Sequence, residues 1–263
     1  DLDKAFFGQD AVIHLACVSN DPCFEMNPKL SKQINYSCFR DIMSAASEAC
    51  IKRFIYASSS SVYGVSTDER VVESSNKNPL TDYSKFKLAC ELELAHFAGD
   101  FCWTILRPAT VCGYSPRQRL DLVVNILTKD AITKKGIKVF GGEQYRPNIH
   151  IGDMVNAYVH ILDQEESRVH AKTYNVGFEN MTLLQIAEQV RGAIGDVSVA
   201  LEKSKDLRSY RVCSDLITNE LGFVPCESIL SAITDLKLAF DDKRIDVNDA
   251  RNYNIKRMKE LKL

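Results

Sequence analysis

Arg53-Phe-Ile-Tyr-Ala-Ser-Ser-Ser-Ser-Val-Tyr-Gly64 is the stretch on which the fold turns. Its first half is a short apolar run of the kind that forms a strand buried on both faces of a parallel sheet. Its second half is a loop of hydroxyls ending in glycine. Upstream, Asp10-Ala-Val-Ile-His-Leu-Ala-Cys17 repeats the apolar pattern and runs into a polar loop, Ser19-Asn-Asp-Pro22. Residues 28–50 then place Leu30, Ile34, Phe39, Ile42, Met43, Ala46 and Ala49 at mostly helical spacing. Downstream, Pro79 precedes a helical segment carrying Tyr83, Phe86, Leu88, Leu92 and Leu94, stopped by Gly99-Asp100. Trp103-Thr-Ile-Leu-Arg-Pro108 reads as a third strand. Strands alternating with helices predict a doubly wound α/β sheet. Its connections should be right-handed crossovers.

The remainder is more mixed. Residues 120–134 and 153–163 read as helices, with short strands at Lys138-Val-Phe140 and Asn148-Ile-His-Ile151 around a Gly-Gly turn. Thr173-Tyr-Asn-Val176 reads as another strand. Thr182 with Gln185 forms a capping-box pattern at a helix start. Residues 214–222 and 228–240 read as two more helices, the first stopped by Gly222. The charged tail, 241–263, is expected to be partly ordered at best.

Composition narrows the function classes. The 263 residues suffice for one large domain or two small ones. A net charge of −2 gives no electrostatic case for nucleic acid or an acidic membrane. No apolar run reaches bilayer length. The nine cysteines form no Cys-x-x-Cys, and no His lies at zinc spacing from them. They read as free thiols in a reducing cytoplasm, and no metal is expected.

The chemistry centres on Tyr83-Ser-Lys-Phe-Lys87. Tyr and Lys at i and i+4 share one helix face. A phenol titrates near pH 10, and a neighbouring ammonium favours its phenolate, so the pair can serve as an acid/base. Alone, that spacing better fits a surface pair. The serines at 58–61 lie at the carboxyl end of a strand, where open α/β sheets bind ligands.

Taken together, these residues resemble the extended branch of the short-chain dehydrogenase/reductase superfamily, in particular the nucleotide-sugar epimerases and dehydratases. The resemblance covers nearly the whole chain. Asp10–Ala16 is similar to the family's fourth strand, Arg53–Ser59 with Val62-Tyr-Gly64 to the fifth strand and its loop, and Tyr83 with Lys87 to the catalytic pair. Leu106-Arg-Pro-Ala-Thr-Val111 with Gly113 resembles the sixth strand and its exit. Arg146-Pro-Asn-Ile-His-Ile-Gly-Asp153, Tyr174-Asn-Val-Gly177 and Leu221-Gly-Phe-Val-Pro225 resemble later landmarks.

The resemblance implies Ser59, Tyr83 and Lys87 as catalytic residues. Tyr83 would be the acid/base on a sugar hydroxyl, Lys87 would hold the nicotinamide ribose and lower the tyrosine pKa, and Ser59 would bond the reacting oxygen. It implies Leu15, Ala16, Asn35, Ser58 and Pro108 beside the cofactor, with Tyr83 and Lys87. Ser60, Thr110, Arg146 and Arg208 or Arg211 are implied on the substrate side. Thr110 departs from an Asn that many members carry. Ser60 and Ser61 stand where the family's sugar 4,6-dehydratases carry an Asp-Glu pair. Elimination of water needs an acid and a base, so the departure disfavours dehydration. The implied cofactor is NAD, with NADP not excluded. The implied partner is a nucleotide sugar, and a homodimer is expected for the full-length protein.

The glycine fingerprint Gly-x-x-Gly-x-x-Gly that lets backbone approach a pyrophosphate occurs nowhere in the chain. The expectation is therefore a partial Rossmann sheet whose first strands, roughly 60 residues, are missing. Residues 10–17 should then form an open edge, and the chain alone should be inactive. Residues 1–115, with 148–165 packing back on them, are expected to form the rest of the cofactor domain. Residues 116–147 and 166–263 should form a smaller α/β substrate domain. The expected activity is NAD-dependent epimerisation. A net reductase or dehydrogenase of a nucleotide sugar or other carbonyl compound is the alternative, and an inactive ligand-binding relative is the second.

Overall fold

The structure, a computed structural model, describes residues 2–19, 21–203 and 209–263. The chain opens with α1 (Leu2–Phe6), strand β1 (Ala11–His14), α2 (Asp21–Met26), α3 (Pro28–Lys32) and α4 (Phe39–Glu48), with a π-helical turn at Gln33–Ser37. Strand β2 (Arg53–Ala57) passes through a 3-10 turn (Ser60–Tyr63) to α5 (Asp82–Ala95), β3 (Cys102–Pro108) and β4 (Thr110–Cys112). Then come α6 (Val123–Lys134), β5 (Gly136–Phe140), β6 (Tyr145–His150), α7 (Ile151–Asp163), α8 (Glu166–Val169), β7 (Lys172–Val176) and β8 (Glu179–Thr182). The chain ends with α9 (Leu183–Ile194), β9 (Ser198–Glu202), α10 (Asp215–Leu221), α11 (Ile229–Asp241), a 3-10 turn at Ala250–Asn252, and α12 (Asn254–Glu260).

The main sheet has the order β1-β2-β3-β7, and every pairing is parallel. Side chains alternate across β2. Phe54 and Tyr56 pack with Phe39, Met43, Cys90 and Leu94 from α4 and α5 on one face. Ile55 and Ala57 pack with Met154, Ala157, Tyr158 and Ile161 from α7 on the other. Burial on both faces is why Arg53–Ala57 is apolar without interruption, and each large side chain so buried contributes roughly 1.5–3 kcal/mol. The result is the doubly wound α/β arrangement read from the sequence. Among the described residues β1 pairs with β2 alone, so the strand read at 10–17 lies at the sheet's edge. Its four residues are only half-buried, and Leu15 just beyond it is 55% exposed.

A second apolar cluster joins Val124, Leu127 and Ala131 of α6 with Ile137 and Val139 of β5, Ile186 and Val190 of α9, and Ile233 of α11. Beside it run β4-β6-β8 and the pair β5-β9. The capping box at Thr182 and Gln185 forms as read. Gly222 ends α10 in the left-handed conformation, φ +74°. Strands β8 and β9 were not foreseen. The tail departs from its reading: α12 is helical, with Met258 buried, and it packs on α2. No described helix is long and apolar enough to cross a membrane.

Candidate active site

The carboxyl ends of β2 and β3 open into a cavity of about 650 Å³. Ser59, Tyr83 and Lys87 line it together, with Leu15, Ser58, Ser60, Pro108, Thr110 and Arg146. Two motifs more than twenty residues apart thus meet because a parallel crossover returns α5 alongside the end of β2. Thr81 caps α5 through a reciprocal pair with Ser84, which fixes the helix start so that Tyr83 falls in its first turn and Lys87 in its second.

The hydroxyl of Ser59 has a defined direction. Its oxygen accepts from Ser61 N–H at 3.1 Å and from Ser61 Oγ–H at 2.9 Å. Both acceptor positions of a hydroxyl are then engaged, so its own proton is left to donate into the cleft. Ser58 lines the cavity, but its hydroxyl donates to the buried Glu91 carboxylate. Ser60 is buried and bonded to the Tyr210 hydroxyl at 3.2 Å.

Lys87 is buried, and its Nζ donates to Ala57 O at 2.6 Å. It lies 5.1 Å from the Tyr56 ring centroid and 5.9 Å from that of Tyr83. Among the described residues it has no carboxylate partner, so two of its three donors remain for a ligand. The resemblance implied a lowered tyrosine pKa. Here Tyr83 is raised well above the usual phenol value, first by burial, then by Cys17 and Asp21, while Ser59 and Arg119 pull it down. The sign reflects a phenol in a walled cleft beside Asp21, with the Lys87 ammonium tied to a backbone carbonyl.

Beneath the loop lies a buried ion pair. Arg107 Nε and Nη2 donate to Glu91 at 3.0 and 2.6 Å, and both side chains are 5% exposed. Arg107 Nη1 also reaches Tyr63 Oη at 2.8 Å and Glu73 O at 2.9 Å. Tyr63 donates onward to Asn175 Oδ1 at 2.6 Å. Burial opposes the Arg107 charge, yet the Glu91 hydrogen bonds and charge hold its pKa above the ordinary arginine value. This network clamps both ends of the Ser58–Tyr63 loop to the core.

Other implied residues fall elsewhere. Asn35 sits in the π-helical turn and grips the Val18 backbone, accepting from its N–H at 2.7 Å and donating to its carbonyl at 3.0 Å. It shapes the loop after β1 without lining the cavity. Ala16 is exposed outside it. Arg211 stacks on Tyr145 at 4.6 Å and also lies outside. Arg208 is outside the described residues. The sequence reading passed over Tyr210, between those two arginines, and Arg117, Arg119 and Asp121, all of which line the cavity. Asp153, in the landmark segment after β6, is buried and accepts from Cys226 N–H and Glu227 N–H, both at 2.9 Å. Its carboxylate ties α7 to the segment leading into α11.

A parallel doubly wound sheet with a serine, tyrosine and lysine gathered at its carboxyl edge defines a Rossmann-type short-chain dehydrogenase/reductase fold. Residues 1–177 match the sequence model of the NAD dependent epimerase/dehydratase family, and the chain belongs to that family. Among its relatives is an uncharacterized UDP-glucose epimerase, YtcB, of Bacillus subtilis, 27% identical in an alignment of 251 residues that covers 85% of this chain and 77% of that one. The UDP-glucose 4-epimerase of Lactobacillus helveticus is 26% identical in an alignment of 238 residues that covers 82% of this chain and 72% of that one. Among solved structures, MoeE5 in complex with UDP-glucuronic acid and NAD superposes with a TM-score of 0.82 at 22% identity, covering 92% of this chain and 83% of that one. The UDP-glucuronic acid 4-epimerase of Bacillus cereus, in complex with UDP-glucuronic acid and NAD, gives 0.82 at 24% identity, covering 92% and 79%.

The family's cofactor is NAD. The residues present fit its nicotinamide-ribose end: a buried ammonium at Lys87 has donors to spare for a ribose diol, and Pro108 offers an apolar wall across the cleft.

Proposed function

We propose that the protein epimerises a nucleotide sugar with NAD as its cofactor. The observation that carries this reading is the convergence of the Ser59 proton, the Tyr83 hydroxyl and the Lys87 ammonium on one cavity that Arg146 also lines. Bound NAD supplies a reversible hydride acceptor for a ring carbon of the sugar.

The chain's own residues do the rest. Tyr83 takes the proton of the hydroxyl on that carbon and returns it after the sugar has presented its other face. Ser59 donates its proton to the same oxygen, stabilising the charge that develops there. Lys87 holds the ribose hydroxyls and adds positive charge beside the tyrosine, favouring its phenolate once the cleft is filled. Arg146 holds the diphosphate with a forked guanidinium. Ser60 and Ser61 supply neither an acid nor a base for loss of water, which supports epimerisation over dehydration. In this reading residues 1–115 with 148–165 carry the cofactor half, and 116–147 with 166–263 the sugar half.

The test is mass spectrometry of the cofactor that copurifies with the full-length protein, followed by incubation with UDP- and dTDP-hexoses. Bound NAD and an isomeric product without net NADH support the reading. Stoichiometric NADH overturns it in favour of a dehydrogenase.

A further inference from the structure

Lys87 brings a charge into the wall of the cavity with no carboxylate to meet it. The side chain is buried, and Glu91, one turn further along α5, is already bonded to Arg107 and Ser58. A buried ammonium is costly unless something compensates its charge.

What faces the ammonium instead is the end of β2. Ala57 O accepts from Nζ at 2.6 Å, and the ring of Tyr56, the residue before it, lies with its centroid 5.1 Å from Nζ. The Tyr83 ring stands 5.9 Å away on the same ammonium. A cation within about 6 Å of an aromatic centroid, over the face, is attracted by the ring quadrupole, and more strongly where water is excluded.

The Tyr56 ring is fixed in place. It is buried, and parallel pairing sets it in register with His14 of β1, whose imidazole stacks on it at 6.0 Å and 19°. Phe39 of α4 packs at 4.9 Å. The Tyr56 hydroxyl finds no hydrogen-bonded oxygen or nitrogen among the described residues, with the Cys90 thiol beside it. A buried hydroxyl so placed contributes little, so the ring is the part of this side chain that serves the site. A carboxylate at the same place would take the remaining N–H donors of Lys87. A ring face attracts the whole ammonium and leaves two donors for a diol.

We propose that Tyr56 is a positioning residue for Lys87: its ring face stands in for a counter-ion and keeps the ammonium aimed at the nicotinamide ribose. The assignment rests on the reading above, in which Lys87 holds the ribose of NAD.

The experiment is calorimetric titration of the full-length protein, freed of cofactor, with NAD and with ADP, which lacks the nicotinamide ribose. The variants are Tyr56→Phe, Tyr56→Leu, and two phenylalanines at position 56 carrying one and three ring fluorines. Fluorine drains the ring face of negative charge while nearly preserving its shape. Tyr56→Phe should bind NAD within about twofold of the unaltered protein, since the ring is kept. One fluorine should weaken NAD measurably, and three fluorines or Tyr56→Leu should weaken it about tenfold. ADP affinity should change less than about twofold throughout. Should Tyr56→Leu not fold, the fluorinated pair decides alone. NAD affinity indifferent to fluorine overturns the assignment, as does equal weakening of NAD and ADP, which marks a ring that only supports the fold. If the unaltered protein does not bind NAD, the cofactor reading itself falls, and this assignment with it.

Discussion

Replacing Glu91 by Ala strips the buried Arg107 guanidinium of the one carboxylate that pairs with it among the described residues. Three other groups depend on the same pair: Ser58 Oγ loses its acceptor, and the Arg107 bonds to Tyr63 and to the Glu73 carbonyl lose the anchor that orients them. Removing one partner of a buried ion pair costs about 3–5 kcal/mol, because the surviving charge cannot return to water. Arg107→Met should cost a similar amount. The double variant Glu91→Leu/Arg107→Met leaves no buried charge, and its residual cost is roughly 1 kcal/mol for each hydrogen bond lost by Ser58, Tyr63 and Glu73. It should therefore be much less destabilised than the sum of the single variants. Urea unfolding of the four proteins measures this coupling directly. Asp10→Ala, which breaks an exposed pair with Lys52, is the internal control and should barely move the midpoint. The reasoning is refuted if Glu91→Ala behaves like Asp10→Ala, or if the two buried substitutions are additive.

Other outcomes follow from the same structure. Gly64 has φ +69°, and a Cβ there would meet Asn78 O at 2.0 Å, so Gly64→Ala should destabilise by at least about 1–3 kcal/mol in a thermal or urea melt; unchanged stability contradicts the strained turn. Tyr83→Phe should lower kcat by about 100-fold or more with KM little changed, whereas Arg146→Ala should mainly raise KM; steady-state kinetics showing the reverse count against both roles. His14 stacks among Phe39, Phe54 and Tyr56, and burial, with Lys87 nearby, pushes its pKa down to about 4. Because the unfolded imidazole titrates near pH 6.5, the unfolded chain binds more protons between these values. The stability His14 contributes is thus complete above about pH 6.5 and is lost as pH falls toward 4, by at most about 3 kcal/mol. His14→Phe should flatten that slope in urea melts at pH 7.5 and about 5, and an equal slope in both proteins would refute it.

The parts of this molecule that were legible before any coordinates are those whose chemistry is local. Arg53–Ala57 and Trp103–Pro108 are apolar on both faces because helices cover both sides of the sheet, and Thr182 with Gln185 caps a helix by itself. That Ser59, Tyr83 and Lys87 would share one cavity was legible because Ser59 follows the carboxyl end of β2 and the other two lie in the first two turns of α5. What stayed hidden depends on distant partners. Strand β9 is mostly exposed and carries no alternation, and among the described residues only β5 pairs with it. Asn35 looks like a ligand-facing amide until its bidentate grip on Val18 is seen. Arg119 and Asn254 are 135 positions apart, and nothing in either local sequence says that Ser19 and Asp121 join them. The charged tail gave no apolar stripe, and its order comes from those same polar ties, from Met258 and from Ile245, which packs with Leu120 and Leu236.

The epimerase reading is tested most directly by following one hydrogen. A nucleotide hexose deuterated at the reacting ring carbon is incubated with the full-length holoprotein, and the product is read by mass spectrometry and proton NMR. The account predicts an epimer that keeps its deuterium, with no NADH accumulating, because the hydride leaves and returns within one closed site. Deuterium lost to solvent, or an oxidised or reduced sugar formed in step with a change in free NADH, would contradict it.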